Sequence, residues 1–156
     1  MSFRAGPPAE VSWTMPGPRL LSEAEVRSAV AAALAQGGRP ELGVAVVFVS
    51  DEELARLHQR YLGDPSPTDV LAFDLGEGRG AAGELYVSVE RARAEARARD
   101  LPPERELTLY VVHGCLHLCG HDDRRPAPRA RMRAAERAVL ARLGHSPEPR
   151  AGGLQA

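Results

Sequence analysis

With 156 residues and a formal net charge of −1, the chain is long enough for one domain with its own hydrophobic core. That balance excludes a uniformly basic nucleic-acid binder and an acidic tail protein, and the two cysteines, Cys115 and Cys119, exclude a disulfide-rich scaffold. Met1 to Glu10 has no apolar core of signal-peptide length and no later run approaches a bilayer span, so the expectation is a cytoplasmic protein with no membrane contact.

Residues 1–20 carry Pro7, Pro8, Pro16 and Pro18 and are expected to be irregular, with one candidate edge strand from Val11 to Met15. Ser22-Glu23-Ala24-Glu25 opens a helix. Val26, Ala29, Val30, Ala33 and Leu34 follow at helical spacing until Gly37 and Gly38. Leu42 to Val49 is apolar and β-branched, the pattern of a strand buried on both faces. Ser50 caps a second helix running to about Tyr61.

Pro65 and Pro67 interrupt regular structure; Thr68 to Phe73 and Glu84 to Val89 then read as two strands joined as a hairpin around the glycines from Gly76 to Gly80. That glycine run lacks phosphate-loop spacing. A charged helix spans Glu90 to Arg99, and another starts at Glu104 and runs through Leu107, Tyr110 and Val111 into a histidine segment. Pro126 and Pro128 are expected to precede an Arg/Ala-rich last helix ending near Leu143, and 145–156 to be a disordered tail. Residues 21–144 thus form a single domain.

The chemistry concentrates in His113-Gly114-Cys115-Leu116-His117-Leu118-Cys119-Gly120-His121-Asp122-Asp123. Imidazoles at i and i+4 lie one turn apart and about 40° apart in azimuth, so both reach one metal ion. A zincin peptidase has Glu after its first histidine as general base, where this chain has Gly114. The third ligand is a choice between two residues. Were the helix to continue, His121 would stand about 12 Å along the axis from His113, whereas a left-handed Gly120 would turn the chain back. Asp123 is the preferred ligand and His121 the reserve. Asp122 is a candidate to orient an imidazole from behind. Cys115 and Cys119 project about half a turn of azimuth away from the histidines and are expected to pack as free thiols.

His113 to Asp122 resembles the His-Gly-x-Leu-His-Leu-x-Gly-[Tyr/His]-Asp-His pattern of the YbeY family of bacterial rRNA maturation endoribonucleases. Pro67-Thr68-Asp69-Val70-Leu71-Ala72-Phe73 and Gly83 to Glu90 are similar to two further blocks of that family, in the same order. The resemblance implies an α+β fold, a small mixed β-sheet of about four strands covered by about five helices. It also implies a zinc ion at a zincin-like helix and a role in rRNA processing with the ribosome or a ribosomal subunit as partner. His113 and His117 match the first two zinc ligands. The third family histidine aligns with Asp123. Many members have Tyr-Arg-Gly where this chain has Tyr61-Leu62-Gly63; Leu62 cannot bind phosphate, and the adjacent Arg60 points elsewhere if the local backbone is kept.

The expected activity is metal-dependent, single-strand-specific endoribonuclease chemistry, by activation of a water or polarisation of a phosphoryl oxygen, with surface arginines on the RNA backbone. Thr68, Asp69 and Arg60 are candidates for the substrate side of the cleft. A turn cap and a solvated carboxylate describe Thr68 and Asp69 equally well. The alternatives are a non-catalytic, metal-containing ribosome-assembly factor, another metal-dependent hydrolase, and a non-haem iron enzyme, whose facial triad also uses two His and one carboxylate.

Overall fold

The computed structural model describes residues 9–64, 68–76 and 82–145. The expectations for Met1 to Pro8, the prolines at 65 and 67, the glycines from 77 to 80 and the tail from 146 onward fall outside the described residues.

Nine elements follow one another: β1 (Glu10–Trp13), α1 (Glu23–Gly37), β2 (Val44–Val49), α2 (Asp51–Leu62), β3 (Val70–Asp74), β4 (Gly83–Ser88), α3 (Val89–Arg99), α4 (Pro103–Leu118) and α5 (Pro126–Arg142). The fold is α+β, with one four-stranded mixed sheet in the order β1-β2-β4-β3. β1 and β4 run parallel to β2, and β3 returns antiparallel to β4, so β1 is the edge strand expected from its prolines and the expected hairpin forms.

Local chemistry sets these boundaries. Ser22 Oγ accepts from the Glu25 amide at 3.0 Å while Glu25 Oε1 accepts from the Ser22 amide at 2.9 Å, a closed capping box for α1. Ser50 and Ser88 cap α2 and α3 through the side-chain bond alone, accepting from the Glu53 and Arg91 amides. Several boundaries move by one or two residues, β1 to Glu10–Trp13 and the start of β2 to Val44 among them, and two shifts bear on the site. The strand expected from Thr68 begins at Val70, leaving Thr68 and Asp69 in the approach to the sheet. Pro126 and Pro128 lie inside the first turn of α5, where a missing amide hydrogen costs no intrahelical bond.

The core lies between one sheet face and α1, α4 and α5. Val26, Val30 and Leu34 of α1 meet Val46 and Phe48 of β2, Leu85 and Val87 of β4, Val111, Cys115 and Leu116 of α4, and Met132 and Val139 of α5. Each such side chain contributes about 1.5–3 kcal/mol by leaving water. Among the described residues the opposite sheet face carries only α2, whose Leu54 packs with Val49 and Leu71. β2 is therefore not enclosed on both sides as its composition suggested: Ala45 and Val47 remain half-buried. No helix among the described residues is long and apolar enough to cross a membrane.

Candidate metal centre

α4 runs through the centre of the helical layer, in contact with α1, α3, α5, β3 and β4. Past its first turn only Leu109, His113 and His117 are not buried, a stripe at i, i+4 and i+8 along one open edge. The two histidines occupy the part of the helix that the fold leaves accessible.

Gly114 shows why α4 lies so close to the sheet. A Cβ there would come 2.8 Å from Leu85 Cδ2 and 3.1 Å from Val70 Cγ2. The position that bears the peptidase glutamate in zincins is turned into the sheet here and has no room for a side chain.

The helix ends as the glycine predicts. Gly120 has φ +97°, its amide donates to the His117 carbonyl at 3.0 Å, and the His121 amide donates to the Leu116 carbonyl at 3.0 Å. These two bonds form a Schellman motif, which reverses the chain. Arg39 Nη1 donates to the Leu118 carbonyl at 2.6 Å, satisfying another group at this helix end. The reversal delivers Asp123 to the histidines, and Arg129 Nε holds the returning loop by donating to the Asp123 carbonyl at 2.9 Å.

His113 Nε2 and His117 Nε2 are 3.1 Å apart, His113 Nε2 and Asp123 Oδ2 are 3.4 Å apart, and His117 Nε2 and Asp123 Oδ1 are 3.8 Å apart. A tetrahedral zinc ion with bonds of about 2.1 Å separates its donors by about 3.4 Å. The spacing and the donor types both fit such an ion. His113, His117 and Asp123 make the one group of three His, Cys, Asp or Glu side chains among the described residues with ligand atoms within 4.8 Å of one another. His121 is not in it.

Behind the cluster stands a residue that the sequence reading missed. Glu136 of α5, buried, accepts from His113 Nδ1 at 2.6 Å and from Arg133 Nη1 at 3.2 Å. This bond places the His113 Nδ1 proton toward Glu136 and aims the Nε2 lone pair at the cluster, the usual arrangement behind a metal-binding imidazole. The signal was present in the sequence: Glu136 sits in the apolar stripe of Met132, Ala135, Val139 and Leu140, where an unpaired carboxylate is costly.

Burial opposes protonation of His113, yet the Glu136 hydrogen bond and charge, with Asp69 and Asp123 beyond them, raise its pKa. For His117, burial and the neighbouring His113 prevail over Asp123 and a hydrogen bond with the His121 backbone, and its pKa is lowered. A single proton thus goes to His113 first. Three acceptors converge here with negative charge behind them, and a cation resolves that convergence.

The remaining candidates divide. Asp69 lies near enough to α4 to act electrostatically on both His113 and Tyr110. Thr68 is half-buried beside it. Arg60 is exposed on α2, with its guanidinium 5.4 Å from the Tyr61 ring centroid, and α2 packs on β3, β4 and α3. Asp122 accepts from the Arg124 amide at 2.9 Å and acts on His117 only through its charge. Cys115 is buried and Cys119 half-buried, both as free thiols.

Fold and site together define an α+β protein in which the end of one buried helix gathers two imidazoles and a carboxylate at an open edge, the arrangement of metal-dependent hydrolases. Comparison with known proteins narrows this class. The family model described as "Endoribonuclease YbeY" matches residues 19–144. A Phocaeicola vulgatus protein named endoribonuclease YbeY is 38% identical over 98 residues, covering 63% of this chain and 71% of the relative. A Rhodopirellula baltica protein of the same name is 40% identical over 123 residues, 77% of this chain and 63% of the relative. The solution structure of TM1509 from Thermotoga maritima superposes with a TM-score of 0.59 at 26% identity, covering 92% of this chain and 98% of that one. The chain belongs to the endoribonuclease YbeY family.

Proposed function

We propose that this protein is a metal-dependent, single-strand-specific endoribonuclease acting in rRNA processing and ribosome maturation in the cytoplasm. One zinc ion per chain is held by His113, His117 and Asp123, and the ribosome or a ribosomal subunit is its partner. The observation that carries this reading is the convergence of two imidazole nitrogens and one carboxylate at zinc-like spacing on an accessible helix edge, in a chain whose relatives are named endoribonucleases.

When bound, the ion supplies Lewis-acid polarisation of a phosphoryl oxygen and acidifies a water. The chain's own residues set up the rest. Glu136 fixes the His113 ring and makes its Nε2 a stronger donor to a metal. Arg129 holds the loop that carries Asp123. Three protein ligands leave one position open for water or substrate, as catalytic sites require. Thr68 and Asp69 line the substrate side, supported by the electrostatic reach of Asp69 to His113. Peptidase chemistry of the zincin kind has no base here, because Gly114 is packed against Leu85 and Val70.

The experiment is cleavage of precursor rRNA by wild type and His117→Ala, on samples whose metal content has been measured. Wild type should cut and the variant should lose at least about a hundredfold in rate; equal rates would remove the cluster from the mechanism. Metal analysis of protein purified without added metal separates zinc from the iron of a facial-triad enzyme. One observation favours a second reading, a non-catalytic assembly factor: Leu62, 60% exposed, occupies the position of the family arginine. Metal-loaded wild type that binds precursor rRNA and leaves it intact selects that reading.

A further inference from the structure

Next to the metal centre in sequence lies a cavity of about 260 Å³ whose walls include His121, Asp122, Arg125, Pro128 and Arg131. None of these side chains belongs to the cluster of His113, His117 and Asp123. Its charge is uneven. The one carboxylate, Asp122, is engaged within its own turn, accepting from the Arg124 amide at 2.9 Å and lying 3.7 Å from Arg125 Nε. Arg131 is exposed and makes no ion pair among the described residues. Neighbouring arginines are committed elsewhere, Arg129 to the Asp123 carbonyl and Arg133 to Glu136. The first turn of α5 contains no acidic residue that would neutralise the cavity. With Asp122 paired to Arg125 and Arg131 left without an ion pair, the cavity keeps a net positive charge, which suits an anion with several oxygen acceptors.

We propose that this cavity is a phosphate subsite, in which Arg131, beside the Asp122–Arg125 pair, holds a backbone phosphate of the same RNA strand that the metal centre cleaves. The assignment rests on the endoribonuclease reading above. Consecutive residues join the two places, Asp122 in the cavity wall and Asp123 in the cluster, so a strand seated in the cavity is led to the metal. Phosphate contacts of this kind fix register and carry no base information, which suits a single-stranded substrate of varied sequence.

Two arms test this on the full, metal-loaded chain. In the first, a short single-stranded oligoribonucleotide is titrated against wild type, Arg131→Ala and Arg142→Ala. The last removes an exposed arginine of the same helix from outside the cavity, and thermal melts of both variants establish that they fold. Arg131→Ala should weaken binding about five- to tenfold and reduce the salt slope by about 0.7, the share of one single-strand phosphate contact. Arg142→Ala should match wild type. Wild-type affinity and slope in Arg131→Ala would overturn the subsite.

In the second arm, inorganic phosphate is titrated into isotopically labelled protein. The amides of Gly120, Asp122 and Arg131 should shift saturably in wild type and Arg142→Ala but not in Arg131→Ala. The two readings fail differently. Wild type that cuts no RNA while phosphate shifts persist overturns the RNA assignment and leaves an anion site. Wild type that cuts RNA with no response to Arg131→Ala in either arm overturns the subsite alone.

Discussion

The three side chains of the proposed metal centre owe their geometry to residues that never enter it. Glu136 is the clearest case: its carboxylate reaches His113 from α5, twenty-three positions along the chain, and restricts a ring that would otherwise be free to rotate and to exchange tautomers. Glu136→Ala should therefore weaken zinc binding by about 10- to 100-fold in chelator competition. Glu136→Gln keeps an acceptor for the Nδ1 proton but loses the charge, and should fall between that variant and wild type. Unchanged affinity in Glu136→Ala would show that the ring is held by packing alone.

Two glycines give α4 its place and its end, and they act through different physics. Gly114 has ordinary helical backbone but no space, with Leu85 and Val70 against it. Gly120 has open space around it but a left-handed backbone at φ +97°. Gly114→Ala gains helix propensity of about 1 kcal/mol, yet must displace a buried leucine and a stiff valine at a cost of about 1–3 kcal/mol. The net outcome should be a lower melting temperature together with a shifted histidine edge. Gly120→Ala meets no atom and costs only the left-handed strain, about 1–2 kcal/mol. Its larger effect should be on zinc affinity, because the reversal that delivers Asp123 depends on it. A Gly120→Ala protein with wild-type zinc affinity would mean that the Arg129 tether positions Asp123 without help from the turn.

For the whole molecule, the balance between core and metal decides what removal of the ion does. The core spans α1, α4, α5 and the sheet and includes none of the three proposed ligands, so the protein should remain folded without zinc, unlike small domains that fold only around their metal. Binding to the native state alone adds about 4 kcal/mol at a thousandfold excess over Kd. At roughly 2–4 °C per kcal/mol for a chain of this size, chelation should lower the melting temperature by about 8–16 °C and leave the far-ultraviolet circular dichroism at 25 °C unchanged. Loss of the helical signal on chelation would assign the ion a structural role that the packing does not suggest.

Much of this architecture is local chemistry and was legible in the chain itself. Ser22 and Glu25 close a capping box, Gly38 and Gly63 take left-handed φ at the ends of α1 and α2, and Gly120 turns the chain as its place after the histidines implies. The i, i+4 spacing of His113 and His117 already put both rings on one edge, and the glycine after them favoured Asp123 over His121. Interactions across long sequence separations were not legible. Proline chemistry alone could not say whether Pro126 and Pro128 precede α5 or lie in its first turn, since both are compatible with a missing amide hydrogen. The apolar run of β2 could not reveal that, among the described residues, only α2 covers its second face. No spacing rule links Glu136 to His113, Arg129 to Asp123, or Gly114 to Leu85. The sequence by itself determined the elements, their caps and which side chains are candidates for ligands, because these follow from neighbours within a turn or two of backbone. Only the tertiary structure decided which edge of α4 stays open, what orients the imidazoles and where an anion-binding cavity adjoins them, because those depend on surfaces that meet only when the layers pack.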